Sequence, residues 1–492
     1  MQESRTRRAG HIGKPWLVIA TAFVGFLLAC SAWSLATPIS GGPDEVAHIT
    51  KAAASARGMW TGADSAQPGI EHFVLPADVS DVGGDMSCFA FHPEMSAACA
   101  PTLDDAPSTS VVAESGVGSY NPLYYVLVGW PTLFMSGEPA VYAVRLMSSL
   151  LTAVCLTLAF WSVRRVFRSP YATGALLIAV TPMVYFLGGV VNPNGLETSA
   201  VAAFVALLWF ATSRADAPRF AIIALATTAA VVANLRATSP LYLAIAAIVV
   251  ATAVGWPHVV AFLRRRGVLA ILIPALVVAV LGVVWTLRIG LNAGFIPSSD
   301  VERDGPLTAF LVTISKSVGY GRELIGIFGW LDTLMPEWIY VLWTAVVGLV
   351  IIVAISITRG RHLFAVALSL AALTLVPALV QAPTTAQYGY IWQGRYSLPL
   401  YVTVLLVAGL CLAQTLQGLA SRSAHRVLVV LTAAVTIAQA AAFFIALRRY
   451  VVGLNSSFIQ MFGSSEWEPP GGWPTSMVLF LTGIAVVAIV IV

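Results

Sequence analysis

Charge is scarce in this chain: Asp, Glu, Lys and Arg together make up only 10% of its 492 residues. That excludes a water-soluble globule, whose surface needs about a quarter of its residues charged. No strip of basic residues interleaved with aromatic ones is present, so a nucleic-acid partner is excluded, and the net charge of +4 reflects where charges sit along the chain. Cysteine is rare, with five residues and no Cys-x-x-Cys or Cys/His spacing of the kind that builds a metal centre. There is no solenoid period and no low-complexity tract. The apolar runs also lack the period-two alternation of a barrel strand.

What fills the chain is apolar sequence, 58% of residues with a mean hydropathy of +0.84. Apolar stretches near 16–36, 139–163, 171–188, 195–213, 219–235, 239–256, 268–290, 337–358, 363–381, 397–418, 425–447 and 474–492 match the length of a membrane span. In lipid the backbone must satisfy its own polar groups, so runs without strand alternation are helices. The reading is an all-α integral membrane protein of about twelve transmembrane helices, a single polytopic domain over 1–492. Leu27-Leu28-Ala29-Cys30 faintly resembles a lipoprotein cleavage box, but the first apolar run, about 21 residues, exceeds a signal-peptide core, so an uncleaved first helix is expected.

Arg5, Arg7, Arg8 and Lys14 precede the first span, and later basic clusters are Arg164-Arg165, Arg168, Arg264-Arg265-Arg266, Arg359, Arg361, Arg422 and Arg426. A cytoplasmic N-terminus places all of them inside, as the positive-inside bias demands. Sixteen of the 27 Lys and Arg residues are then cytoplasmic, but of the 23 acids only Glu3 and Asp216 are. The polar chemistry therefore lies on the external face of a cell-membrane protein. The long external segment is 37–138, followed by 291–336, 382–396 and 448–473. Loops of such length carry function or remain irregular, and the Gly/Asp/Ser/Pro-rich middle of the first, about 61–118, reads as irregular. Pro43 opens a helix to about Arg57, and Asn121-Pro122-Leu123-Tyr124-Tyr125 starts a juxtamembrane or re-entrant helix to Met135. A second interfacial stretch is 306–330. Cys30, Cys155 and Cys411 sit in spans as packing residues, whereas Cys88 and Cys99 share the first loop, where a disulfide is favoured over two free thiols.

Pro43-Asp44-Glu45-Val46-Ala47-His48 places two carboxylates and an imidazole at the mouth of the first span. The simpler account is a helix start, with Pro and acids in the first turn and Asp44 pairing with His48 at i, i+4. The chemical account makes Asp44 or Glu45 a general base, its basicity raised by desolvation at the lipid boundary. Asn192-Pro193-Asn194-Gly195 reads as a turn, yet two amides with Glu197 at the same mouth suit sugar hydroxyls. Gln393-Gly394-Arg395-Tyr396 stands where an external loop re-enters the membrane. Arg395 either snorkels to headgroups or binds the phosphate that links a lipid to a sugar. Asp332, in Gly329-Trp330-Leu331-Asp332, is another candidate carboxylate, and Arg145, Arg236, Arg288 and Arg322 lie on or near the outer side.

These motifs, in order along most of the chain, resemble the bacterial polytopic membrane family known as domain-of-unknown-function family 2142, which is similar to the GT-C glycosyltransferases. Val46 stands where the family pattern has a second proline, and Asn194 where it often has aspartate. The resemblance implies a GT-C-like fold and a catalytic base from the first external loop, which maps onto Asp44 or Glu45, with His48 orienting the acid or binding substrate. The expected reaction is sugar transfer from a polyprenyl-phosphate donor to a cell-envelope glycan or glycolipid. Arg395, with Arg236 and Arg322, would bind the donor phosphate. Asn192, Asn194, Glu197, Asp332, Gln393, Tyr396, Asn121 and Tyr124 would contact sugar or acceptor. A divalent metal is compatible with such chemistry, but no ligand set for one stands out. The rival readings are a lipid or glycan flippase or transporter, which calls for ionisable residues at mid-membrane and discontinuous helices in matched halves, and a non-catalytic envelope-assembly protein.

Overall fold

A backbone amide in hydrocarbon finds partners only within its own helix, and the computed structural model of the chain is built accordingly. It describes residues 15–80, 84–103, 109–167, 169–290, 304–417 and 422–492. Arg5, Arg7, Arg8, Lys14, Arg168 and the 291–303 part of the second external segment lie outside the described residues.

Nine helices among the described residues are long and apolar enough to cross a membrane, or up to eleven if each of two bent pairs is one span. Three of the twelve apolar stretches depart from a straight single span. The stretch 171–188 is two helices, Pro170–Ala179 and Pro182–Gly189, meeting at 57° where Pro182 interrupts the hydrogen-bond ladder. Ser239–Val254 turns by 109° into Trp256–Leu263 at Gly255, whose φ of 95° suits glycine. The stretch at 219–235 is one helix of 14 residues, Arg219–Val232, about 21 Å long and short of the ~30 Å hydrocarbon core. Hydropathy registers composition, and it does not register where proline or glycine breaks an apolar run.

Pro193–Ser213 and Leu398–Thr415 form the buried centre of the bundle. Val268–Trp285 lies at its edge, with Leu276, Val277 and Leu281 exposed on a surface suited to lipid. The first helix, Pro15–Ala36, packs on the last, Trp473–Ile491, at a crossing where Gly25 and Gly483 let the backbones touch. A Cβ on Gly483 would come within 2.6 Å of the Ala29 amide.

The first loop folds over one end of this bundle, hereafter the loop face. Its first helix, Glu45–Ala56, packs on the juxtamembrane helix Pro122–Gly129 so closely that a Cβ on Gly129 would strike the Ala52 carbonyl oxygen. The middle of the loop is more ordered than its composition suggested. Glu71–Pro76 pairs antiparallel with Ser110–Ser115 and, at its start, with Ala63–Asp64. Phe73 and Leu75 point inward onto Ala53, Ala54 and Val79, while Val74 faces out, so a brief alternation was present among the turn residues. A Cys88–Cys99 disulfide closes the next turn of the loop. The interfacial stretch at 306–330 forms helices Pro306–Ser315 and Ser317–Gly326, then a two-residue ribbon, Ile327–Phe328 with Thr333–Leu334.

Candidate functional site

Asp44 caps the first-loop helix but does not use its side chain to do so. It stands in the left-handed region at φ 58°, ψ 12°, with no side-chain hydrogen bond to the helix start. Asp tolerates that conformation better than most residues, at about 1–2 kcal/mol. The backbone twist turns the carboxylate away from the helix and toward Arg395, whose Nη2 donates to Oδ2 at 2.5 Å. Half of the Asp44 side chain is exposed, against only 4% of Arg395. The helix-start account therefore describes the backbone here and leaves the carboxylate unexplained.

Arg395 enters from the 3₁₀ turn Gly394–Ser397, just ahead of the buried helix Leu398–Thr415. Glu323 pins that turn by accepting from the Gly394 amide at 2.5 Å, and a Cβ on Gly394 would strike the Tyr320 carbonyl oxygen. Burial pushes the Glu323 carboxyl up, opposed by that amide, Arg395 and Lys316. Arg395 Nη2 also reaches the Tyr396 hydroxyl at 3.3 Å. Arg236, from the turn between Arg219–Val232 and Ser239–Val254, lies against the same ring, its guanidinium carbon 4.4 Å from the Tyr396 centroid and that of Arg395 5.1 Å. Two cations thus share one aromatic ring.

Behind Arg236 stands Glu197, fully buried in the second turn of Pro193–Ser213. Its Oε1 accepts from the Ser239 hydroxyl, and its Oε2 lies 3.8 Å from Arg236 Nη1, beyond hydrogen-bond reach. Five buried polar atoms around this cluster have no hydrogen-bond partner: Arg395 Nε, Arg236 Nη1, Glu197 Oε2, Asn194 Nδ2 and Gln393 Oε1. Buried polar groups are ordinarily paired, so several orphans at one mouth mark a place where a polar ligand would complete the bonding.

His48 lies one turn beyond Asp44 but pairs elsewhere. Its Nδ1 is 2.8 Å from the Tyr125 hydroxyl, and the two rings stack at 5.9 Å. Burial pushes its pKa down to about 3, against Asp44 and with help from Arg236 and Arg395, so the ring is neutral at pH 7. Asn192 caps Pro193–Ser213 by accepting from the Asn194 amide, and donates from Nδ2 to the Pro43 carbonyl at 3.0 Å. It fixes the corner that presents Asp44.

Other anticipated residues sit apart from this cluster. Glu45 is fully buried: its carboxylate takes two bonds from Arg145, at 2.8 and 2.6 Å, and two from the Gly42 and Val191 amides. Arg145 spends its remaining donors on the carbonyls of Ser34, Thr37 and Pro38. With every oxygen engaged and no exposure, Glu45 has no route to a substrate proton. Asp332 is similarly committed, to Arg449 at 3.0 Å, the Phe91 amide and the Thr333 hydroxyl. Arg322 pairs with Glu337 on the surface at 2.8 Å rather than joining Arg395. Tyr124 is buried against Ser148, and Asn121 caps its helix and bonds to Asn234. Sequence reading named Tyr125 only within the Asn121 motif, without a role, and missed Tyr120, whose ring lies 6.3 Å from that of His48, together with Ser239 and Glu323, which are ordinary residue types with no local motif. Among the described residues no group of three or more His, Cys, Asp or Glu side chains could hold a metal ion.

No curated protein gives a significant match to the chain. Among solved structures it is similar to ArnT from Cupriavidus metallidurans in the apo state, at 15% identity and a TM-score of 0.44, covering 97% of this chain and 75% of that one. It is also similar to the same protein bound to undecaprenyl phosphate, at 12% identity and a TM-score of 0.46, covering 97% and 76%. The family described as "Predicted membrane protein (DUF2142)" matches residues 26–406, which hold the first-loop carboxylate, the Asn192 turn and the Arg395 turn alike, and the chain belongs to that family.

Proposed function

We propose that this multi-pass membrane protein is a GT-C-like glycosyltransferase that moves a sugar from a polyprenyl-phosphate donor to an envelope glycan or glycolipid on the external face. The observation that carries the reading is the half-exposed Asp44 carboxylate 2.5 Å from a buried Arg395, in a cluster rich in unpartnered polar atoms. Asp44 is the general base, taking the proton of the acceptor hydroxyl as its oxygen attacks the anomeric carbon. Arg395 stabilises the charge that grows on the departing phosphate, with Arg236 beside it. Asn194, Glu197, Gln393 and Tyr396 supply sugar contacts, and a single displacement inverts the anomeric centre. Neutral His48 and Asn192 hold the Asp44 corner, and Glu45 with Arg145 locks the helix start beneath it.

Acidic residues gather at the loop face, and Arg164, Arg165, Arg265 and Arg361 at the other end. This distribution supports an orientation with the loop face external. The ionisable groups at Glu197 and Arg395 lie near the starts of their helices, which favours chemistry at one face over passage through mid-membrane.

The test is transfer by the purified protein in lipid nanodiscs, supplied with labelled polyprenyl-phosphate sugars and membrane-extracted acceptor. The wild type transfers label from at least one donor, and Arg395→Gln loses it. A wild type inert with every donor, while folded and inserted, rejects the enzyme reading.

A further inference from the structure

The charged side chains of the site are paired with one another. Asp44 and Arg395 neutralise one another, and Glu197 lies nearest to Arg236. Arg395 is nearly sealed from solvent, its Nε has no partner, and its Nη2 is taken by Asp44. Asp44 is the opposite: exposed, on a corner where no cap bond restrains its side chain. The side chain free to leave is therefore the carboxylate, and the fixed one is the guanidinium.

We propose that Asp44 occupies the place of a phosphate oxygen, so that the carboxylate and the lipid phosphate compete for Arg395. This rests on the donor reading above and adds an order to it. While Arg395 holds Asp44, a carboxylate oxygen that would receive the acceptor proton is occupied in a charge-assisted bond. An arriving phosphodiester takes the guanidinium and releases Asp44 beside the anomeric carbon. The acceptor oxygen then forms its bond to that carbon as the carbon–oxygen bond to phosphate breaks. The bonding pair remains on the phosphate oxygen, and the acceptor proton passes to Asp44. Negative charge thus leaves Asp44 as it appears on phosphate, and Arg395 is paired throughout. When Asp44 gives its proton to water it reclaims Arg395 and helps expel the lipid phosphate.

Binding of farnesyl phosphate to the full-length protein in nanodiscs tests the competition. Asp44→Asn and Asp44→Ala bind the probe about tenfold or more tighter than wild type, Arg395→Gln loses binding, and Glu114→Gln, which removes an exposed carboxylate elsewhere in the loop, is unchanged. If Arg395→Gln loses binding while both Asp44 variants match wild type or bind more weakly, competition is overturned and the phosphate reading stands. If neither wild type nor the Asp44 variants bind, the donor reading falls as well. A gain in Glu114→Gln equal to that in Asp44→Asn reduces the effect to general charge and also overturns the proposal.

Discussion

Two adjacent carboxylates, Asp44 and Glu45, receive opposite assignments from one backbone event. The left-handed φ of 58° at Asp44 sends its side chain outward to Arg395, while Glu45, in the first turn, points inward to Arg145. Sequence spacing named both residues and had no means of choosing between them, because the choice depends on a dihedral angle and on two arginines 100 and 351 positions away. Removing one partner of a buried pair leaves the other uncompensated. Glu45→Gln should therefore cost about 3–5 kcal/mol and lower the melting temperature in detergent. Asp44→Asn, at a half-exposed position, should leave that temperature close to wild type. Equal melting temperatures for Glu45→Gln and wild type would contradict the structural role. The Arg395 turn was legible from Gly-Arg-Tyr at a membrane re-entry point, and Glu197 from its place beside two amides. The roles of Tyr125 and Glu323 were not, because they arise only where separate segments converge.

The first loop behaves as one element, seated on the bundle by buried groups whose charge states depend on pH. His48, ordinarily near 6.5, is pushed down to about 3 by burial, so the folded loop keeps it neutral. Below pH 6.5 the unfolded loop takes up a proton that the folded loop refuses. Stability accordingly falls by several kcal/mol between pH 6.5 and about 3 and levels off below. Lys51, which donates to the Trp60 and Gly118 carbonyls, is pushed from 10.5 down to about 8, so stability rises as pH climbs from 8 toward 10.5. Limited proteolysis of the loop in nanodiscs, followed across pH, reads both limbs. Replacing His48 by Gln should flatten the acid limb, and an unchanged limb would dismiss His48 as its cause. Helix boundaries in the loop were legible from Pro43 and Asn121-Pro122, whereas the Glu71–Pro76 and Ser110–Ser115 pairing was not. Strands six residues long, separated by more than thirty positions, offer too little alternation to be distinguished from loop.

At the scale of the whole molecule, the helical bundle was legible because lipid leaves no other solution for long apolar runs. Where it broke was less so: Pro182 and Gly255 interrupt spans whose composition is uniformly apolar. The polarity of the bundle is tested by labelling. The native cysteines are buried or disulfide-bonded, so a single exposed cysteine reports alone. In intact cells Gln67→Cys, in the first loop, should react with an impermeant maleimide, and Arg266→Cys, at the opposite end, only after lysis. The reverse pattern would place the loop face in the cytoplasm and remove an external acceptor from consideration.

The central claim, that Asp44 accepts the proton of the acceptor hydroxyl, is tested most directly by the turnover number of Asp44→Asn at saturating lipid-phosphate sugar. With folding and farnesyl phosphate binding retained, the account predicts a fall of about 10²–10⁴-fold. A turnover number within a factor of two of wild type would contradict it.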